Sequence, residues 1–484
     1  MSEFSTNDIK DNPENSEGGI IGWLVRLTKD IRESLAGSNR DFTQGSIGRA
    51  ILLLSIPMVL EMIMESVFAI VDIFFVSKLG ADAIATVGLT ESLITIVYAF
   101  GIGTSMATTA IVARRIGEKN REGAAIAGVQ SIVLGILISL PISALGIFFA
   151  PDLLRLMGAS NEIVESGSMY TAIMIGGNAV IVLLFIINAV FRGAGDAATA
   201  MRVLVFANGI NIILDPCLIF GLGPFPELGL TGAAIATTTG RGLGVIYQLY
   251  TLGHSHGHIR VGAKHLMLDF GVMKKVFMLS LGGIGQFIIA TSSWVGLVRI
   301  MAVFGSEAIA GYTIAVRIIF FSLLPSWGMS NAAATLVGQN LGAGKPDRAE
   351  KSVWISAAVN MIFLGIIAVI FIAYSEFLIM LFTKDPDIVF IGSKCLRFVS
   401  YGYLFYAFGM VMIQAFNGAG DTTTPTIINF FCFWLIEIPL AYILALSLGF
   451  NEKGVFIAIL IAESLIALTA IVVFKRGHWK ERKV

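Results

Sequence analysis

The hexapeptide FRGAGD at residues 191–196 recurs as FNGAGD at residues 416–421, which is 225 positions later in the chain. The same offset aligns three further regions, pairing Leu54 with Leu279, Gly80 with Gly305 and Gly103 with Gly328. One constant offset across four separated regions indicates that the chain is a duplication of a single structural unit.

The composition places this unit in a membrane. Of the 484 residues, 56% are hydrophobic and 14% are charged, and the mean hydropathy is +0.83. Ordinary soluble proteins are about 45–50% apolar and about 25% charged. The net charge of +0 also excludes the basic surface that a nucleic-acid partner requires. We therefore expect a polytopic membrane protein with the lipid bilayer as its partner.

Twelve apolar stretches are long enough to cross a bilayer, which takes about 20 residues of helix. They lie at 50–77, 86–113, 124–149, 166–190, 198–222, 231–252, 273–303, 309–336, 352–374, 388–415, 424–448 and 454–474. The duplication divides them six and six, so both copies have the same orientation and meet on an axis along the membrane normal. The predicted fold is all-α, with twelve transmembrane helices in two six-helix bundles: an N-terminal lobe at 47–265 and a C-terminal lobe at 266–476.

Two polar segments flank the lobes, an N-terminal extension at 1–46 and a tail at 477–484. Within the extension, apolar residues recur at helical spacing: Ile20, Trp23, Leu24, Leu27, Ile31 and Leu35. Charged residues occupy the other face of this predicted amphipathic helix. The helix either lies on the membrane surface or packs on the body of the protein.

The positive charges predict the orientation of the spans. With these spans, 24 Lys and Arg residues fall on the side of the two termini, 6 fall on the opposite side and three lie within spans. Because Lys and Arg collect in cytoplasmic loops, we expect both termini in the cytoplasm.

Acidic side chains interrupt the apolar spans of the N-terminal lobe. Glu61, Glu65 and Asp72 share one face of span 1, and Asn211 and Asp215 share a face of span 5. A charge at the centre of a bilayer costs at least ~2.5–3.5 kcal/mol, so each of these acids needs an explanation.

The duplication provides an internal comparison for these residues. At the offset of 225, Asp72 corresponds to Leu297 and Asp215 to Leu440. The carboxylates were thus not kept in both copies, as a purely structural role would require. We interpret Asp72 and Asp215 as functional. Asn188 and Asn211 are further candidates, whereas Glu61 and Glu65 are possible cavity acids that could simply face water.

These residues resemble the multidrug and toxic compound extrusion (MATE) family of transporters. The resemblance rests on Pro57 and Asp72 with the following Lys-Leu-Gly in span 1, on Asn188 with the hexapeptide after span 4, and on the NIILDP sequence at 211–216 in span 5. It extends from about residue 47 to 475. The pattern is closest to the DinF-like branch, because Gln286 stands where the NorM-like branch carries a carboxylate on span 7.

The resemblance implies a site and a mechanism. Asp72, Asn188, Asn211 and Asp215 would form a cation-coupling site in the N-terminal lobe, and span 1 would bend at Pro57. The coupling ion would be H⁺ or Na⁺, with no cofactor and no metal site. Glu61, Glu65 and the N-terminal extension depart from the family pattern.

The function expected from the resemblance is secondary active efflux of amphipathic or cationic compounds, by alternating access, from a monomer in the cell membrane. The alternative within transport is a flippase for a lipid-linked saccharide, although such proteins usually have about fourteen spans and a more cationic cavity. An enzyme is not expected, since no paired nucleophile and base falls within the spans.

Overall fold

The computed structural model describes residues 20–38, 40–254, 259–482 and 484, and this part of the chain is built from helices and their connections. The helices of the N-lobe follow an N-terminal helix α1 (Ile20–Ala36). They are α2 (Ile47–Ser77), α3 (Ala81–Gly117), α4 (Arg121–Leu156), α5 (Asn161–Gly176), α6 (Asn178–Ala194), α7 (Ala197–Phe220) and α8 (Gly229–His254). The C-lobe contains α9 (Phe270–Met301), α10 (Ser306–Gly342), α11 (Pro346–Met380), α12 (Pro386–Tyr401), α13 (Tyr403–Ala419), α14 (Thr423–Asn429), α15 (Ile438–Tyr442) and α16 (Glu452–Lys475). A wider π-helical segment at Phe430–Glu437 joins α14 to α15, and a second one at Ile443–Ser447 extends α15.

The number of membrane-spanning segments agrees with the twelve that were predicted. Within the described residues, nine helical segments are long and apolar enough to cross a membrane, and the bent pair α12–α13 makes a tenth. Helices α2 and α8 coincide with the other two predicted spans, at 50–77 and 231–252. These two helices carry the charged residues Glu61, Glu65, Asp72 and Arg241.

The backbone repeats its irregularities at the offset found in the sequence. The fourth span of each lobe is broken at a glycine, Gly177 between α5 and α6 and Gly402 between α12 and α13. The third span of each lobe is kinked at the corresponding residue. Phe149 has φ −123° and ψ 17°, and Tyr374 has φ −114° and ψ 19°. The duplication therefore includes the bends of the helices as well as their order.

The repeated hexapeptide is a turn between two spans. In the N-lobe its second glycine, Gly195, ends α6 in the left-handed conformation with φ +89°, which a residue without a Cβ adopts at little cost. Asp196 then caps α7 by accepting a hydrogen bond of 3.1 Å from the Thr199 amide. Gly420 and Asp421 form the same turn in the C-lobe. Both glycines and both aspartates thus have a structural reason to recur.

The two lobes contact each other through glycines near the end of the molecule that carries α1 and residues 478–482, which we call the terminal face. Gly117 at the end of α3 lies against the carbonyl of Gln339 on α10, and Gly342 at the end of α10 lies against the carbonyl of Arg114 on α3. At the offset of 225, Gly117 corresponds to Gly342 and Arg114 to Gln339, so the two contacts are equivalent. The lobes therefore meet at the terminal face in a pseudo-two-fold arrangement.

The last turn of α1 packs on the body of the protein, as one of the two alternatives for this helix predicts. The Ser34 hydroxyl donates a hydrogen bond of 2.8 Å to the carbonyl of Leu53, and Arg49 forms a salt bridge of 2.6 Å with Asp30. The side chains of residues 20–24 lie outside the described part, so the membrane-surface alternative for the first turns stays a prediction.

Residues 41–46, between α1 and α2, bind both lobes at the terminal face. Asp41 forms a salt bridge with Lys119 of the N-lobe, and Lys345 of the C-lobe donates to the carbonyl of Thr43. Partial burial opposes ionisation of Asp41, but hydrogen bonds from Lys119 and Thr43 outweigh it and lower its pKa to about 2. This contact therefore stabilises the fold at neutral pH and is lost only as the pH falls toward 2.

Candidate functional site

The acidic stripe of α2 faces the interior of the N-lobe, where each acid meets different side chains. Glu61 faces α6, while Glu65 and Asp72 face α8. Along the helix axis, Glu61 and Asp72 are separated by eleven residues, or about 16 Å. The stripe therefore serves separate sites at different depths in the lobe.

The site nearest the terminal face is a buried ion pair. Glu61 is 2% exposed and accepts hydrogen bonds of 2.7 Å from Arg192 and 3.0 Å from Asn188, both on α6. The side-chain oxygen Oδ1 of Asn188 in turn accepts a hydrogen bond of 2.7 Å from the Gln248 side chain on α8. Asn188 thus lies in a network with Glu61.

The C-lobe contains a neutral version of this pair. Gln286 and Asn417 correspond to Glu61 and Arg192 at the offset of 225, and they exchange hydrogen bonds of 3.0 and 3.1 Å. Both copies therefore keep a polar contact between the first and fourth spans of the lobe. We interpret the Glu61–Arg192 pair as mainly structural, because two amide side chains make the equivalent contact in the other lobe.

Farther from the terminal face, Asp215, Asn211, Thr237 and Asp72 form a polar cluster. Asn211 donates hydrogen bonds of 3.2 Å to Asp215 and 3.1 Å to the Thr237 hydroxyl. Thr237 also faces Asp72 of α2. The two carboxylates are close enough for their charges to interact.

This cluster has oxygen atoms that lack partners. Asp215 is 0% exposed, yet its Oδ2 has no hydrogen-bond partner, and the same is true of Oδ1 of Asn211. An unsatisfied buried oxygen costs about 1–3 kcal/mol. Carboxylate and amide oxygens are ligands for hard cations, and a paired carboxylate can instead hold a proton. The donor set thus fits the H⁺ or Na⁺ expected from the sequence.

The structure brings together three of the four residues predicted for the coupling site. Asp72, Asn211 and Asp215 lie in one cluster, whereas Asn188 lies with Glu61 about 16 Å away along α2. The coupling role of each of the four residues stays a prediction. Thr237 also belongs to the cluster, and the sequence does not predict it, because a threonine in an apolar helix gives no distinctive signal.

Between these two sites, Glu65 pairs with Arg241 on α8. The Arg241 guanidinium donates a hydrogen bond of 3.1 Å to Glu65 and lies over the Phe68 ring, 5.1 Å from its centroid. Arg241 is 4% exposed, and its guanidinium also faces Asp72 and the Tyr98 hydroxyl. In sequence Arg241 is an isolated charge in a span, and only the packing of α8 against α2 reveals its partners.

A cavity of about 160 Å³ lies between the lobes. Its walls include Met62, Glu65, Phe185 and Arg192 from the N-lobe and Trp327, Asn331, Gln414 and Asn417 from the C-lobe. Pockets for drug-sized molecules usually enclose about 300–1,000 Å³. The cavity would therefore have to widen, by separation of the lobes, to take such a molecule.

Other features expected from the sequence can also be located. Helix α2 continues through Pro57 without a break, so bending at this proline stays a prediction. In the C-lobe, Glu437 accepts a hydrogen bond of 2.6 Å from Ser293 and is 4% exposed. In the described parts of the chain, no group of three or more His, Cys, Asp or Glu side chains has the arrangement of a metal site.

Known proteins share this architecture over most of the chain. A multidrug resistance MATE family transporter solved in an outward-facing conformation superposes with a TM-score of 0.85 at 25% identity, covering 91% of this chain and 98% of that one. A probable multidrug resistance protein NorM of Thermotoga maritima is 27% identical over 90% of this chain and 94% of its own length. An FAD transporter of Shewanella oneidensis is 26% identical over 89% and 95%, respectively.

The MatE family model matches this chain twice, at residues 57–217 and 283–443. The two matches fall one in each lobe, as the duplication predicts, and together they cover more than half of the chain. The relatives are membrane transporters and not enzymes. With its twelve spans in two repeated lobes, this chain belongs to the MatE family of multidrug and toxic compound extrusion transporters.

Proposed function

We propose that this chain exports amphipathic or cationic compounds from the cell by antiport against H⁺ or Na⁺. The observation that carries the proposal is the cluster of Asp72, Asn211 and Asp215, with its unpartnered buried oxygens, in the N-lobe alone. The corresponding residues of the C-lobe, Leu297 and Leu440, are apolar. The relatives named for multidrug resistance support efflux of small molecules and do not favour the flippase alternative.

The cluster can couple an ion gradient to movement of the lobe. Two neighbouring carboxylates repel each other until a proton or a cation neutralises them. Binding of the ion would let α2 pack more closely on α7, with Pro57 as the bending point because proline lacks the amide hydrogen of the helix ladder. The cavity beside α2 would shrink, and its occupant would leave. This coupling follows the DinF-like pattern, in which the N-lobe carries the ion site.

The expected setting is a monomer in the cell membrane with both termini in the cytoplasm. The surplus of Lys and Arg near the termini supports this orientation. The terminal face, where the lobes meet, would then be the cytoplasmic side.

The orientation can be tested by cysteine labelling in intact cells. We expect a cysteine at the exposed position Lys453 to react with a membrane-impermeant maleimide, and one at the exposed position Arg121 to react only after the membrane is permeabilised. The three native cysteines would be replaced by alanine beforehand. The reverse labelling pattern would contradict the proposed orientation.

The antiport itself can be tested with Asp215→Asn in proteoliposomes. The wild type should drive efflux of a lipophilic organic cation when an inward gradient of H⁺ or Na⁺ is imposed. The Asp215→Asn variant should lose this gradient-driven efflux, because an amide cannot alternate between a charged and a neutralised state. The measurement is the initial rate of efflux with and without each gradient.

Glu437→Gln provides the matched control, since it removes one buried acid from the other lobe. This variant should retain most of the gradient-driven efflux. Equal loss from both substitutions, in proteins that remain monodisperse, would mean that coupling is not confined to the N-lobe. If the wild type exports the organic cation without an ion gradient, and its rate does not depend on H⁺ or Na⁺, antiport is refuted.

A further inference from the structure

The Glu65–Arg241 pair connects the cavity between the lobes to the polar cluster. Glu65 lines the cavity, and its side chain is 26% exposed, whereas Arg241 is buried behind it. The guanidinium faces two acids of α2: it is hydrogen-bonded to Glu65, and Asp72 lies within range of its charge. The two acids are seven residues apart, which is two helical turns or about 10 Å along α2.

When no ion is bound in the polar cluster, negative charges outnumber positive charges around Arg241. Glu65, Asp72 and Asp215 can carry three negative charges, and Arg241 is the arginine that faces this group from α8. The titratable groups facing Arg241 are Glu65 and Asp72 on α2 and Tyr98 on α3. Glu91, also on α3, faces Asp72 and is itself faced by Arg317 of α10, so these two opposite charges leave the imbalance unchanged. A guanidinium has five donors and stays charged, so it can serve either acid without releasing a proton.

We infer that Arg241 is an internal counter-cation that moves between Glu65 and Asp72, and that Glu65 is the carboxylate that binds the positive charge of the exported compound. This inference rests on the proposed function and names its substrate-binding residue. With the ion bound, Asp72 is neutralised and Arg241 keeps its hydrogen bond to Glu65. With the ion released, Arg241 moves toward Asp72 and Asp215, and Glu65 becomes free to bind a cation in the cavity.

The unpartnered oxygen of Glu65 supports this role. Oε1 accepts the bond from Arg241, but Oε2 is buried without a hydrogen-bond partner. Glu61 also has an unpartnered Oε2, but of these two acids Glu65 is the one that lines the cavity. The residue of the C-lobe that corresponds to Glu65 at the offset of 225 is Ala290, so the acid is absent there. The pair is thus specific to the lobe that contains the polar cluster.

This exchange couples drug and ion through charge. The ion and the organic cation never share a ligand atom, but each requires Arg241 to be in a different place. Their binding must then be reciprocally antagonistic. Coupling between two sites of one protein typically changes an affinity by about 5–150-fold.

The test is the binding of tetraphenylphosphonium to the purified full-length protein by calorimetry, at acidic and alkaline pH, each with Na⁺ or K⁺. Triphenylphosphine oxide, a neutral molecule of similar shape, reports the apolar contacts alone. The wild type should bind the phosphonium about 5–150-fold more weakly once the coupling ion saturates its site. Binding of the neutral molecule should depend much less on the ion.

Two substitutions separate the roles of the pair. Arg241→Gln should bind the phosphonium tightly in all Na⁺ and K⁺ conditions at alkaline pH, because Glu65 is permanently free. Glu65→Gln should bind it weakly in all conditions and should keep its affinity for the neutral molecule. Glu65→Gln combined with Arg241→Gln removes the buried unpaired charge and should behave like Glu65→Gln. This double variant shows whether the weak phosphonium binding of Glu65→Gln comes from the lost carboxylate and not from the unpaired charge of Arg241.

The outcomes distinguish this inference from the proposed function. Full ion dependence in Arg241→Gln, with its loss in Asp72→Asn, would overturn the role of Arg241 and leave the ion site in place. Unchanged phosphonium affinity in Glu65→Gln would overturn the role of Glu65. A wild type whose binding responds to neither ion would refute the antiport itself, and the inference with it. The control Glu437→Gln should respond to the ion as the wild type does.

Discussion

Replacing Glu61 by glutamine alone is expected to lower the free energy of unfolding by about 3–5 kcal/mol, the usual cost of removing one partner of a buried ion pair. The Arg192 guanidinium would keep its charge in a site where it is 8% exposed. Its carboxylate partner at 2.7 Å would be gone. The measurement is unfolding of the purified protein in mixed micelles, with the midpoint followed by tryptophan fluorescence.

The duplication supplies the compensating change. Glu61→Gln combined with Arg192→Asn recreates in the N-lobe the amide pair that Gln286 and Asn417 form in the C-lobe. Replacing both members of a buried ion pair by neutral groups is often tolerated. The double variant should therefore be more stable than Glu61→Gln. A single variant as stable as the wild type, or a double variant no better than the single, would contradict this interpretation of the pair.

Hydropathy and the offset of 225 residues were sufficient to predict the architecture. They gave the twelve spans, the two parallel lobes and the corresponding positions at which the lobes can be compared. They did not give the kinks. In the N-lobe the kink at Phe149 is followed by Pro151, but the C-lobe kink at Tyr374 is followed by Glu376. The same bend without a proline indicates that packing against the neighbouring helices determines it.

The acids of the site were predictable because a charge in an apolar span is conspicuous. Their partners were not, because sequence alone does not reveal which faces of two helices meet. Arg241 and Thr237 are one turn apart on α8, and their roles become clear only once α8 is seen to face Glu65 and Asn211. Asn188 shows a limit of the resemblance, which implied a place beside Asp72 and Asp215, whereas the structure places Asn188 beside Glu61.

Alanine at Gly117 is expected to prevent the lobes from closing at the terminal face. A Cβ at this position would overlap the carbonyl of Gln339, which belongs to the backbone of α10 and cannot rotate away. Inserting a methyl group into a packed contact typically costs about 1–3 kcal/mol. Since each 1.4 kcal/mol is tenfold, the population with this contact should fall by about 5–150-fold relative to the opened state.

Cysteines introduced at the exposed positions Arg121 and Lys351 and labelled with spin labels would report the separation of the lobes at this face. Gly88→Ala is the matched control, because Gly88 lies on the same helix and a Cβ there meets no atom within 4 Å. It should leave the distance distribution unchanged, whereas Gly117→Ala should shift it to longer distances and slow efflux. Gly342→Ala should have the same effect, because its Cβ would overlap the carbonyl of Arg114 in the pseudo-two-fold partner of the first contact. A shift in only one of the two variants would mean that the lobes do not close symmetrically around these glycines, and no shift in either would mean that this contact does not hold the terminal face closed.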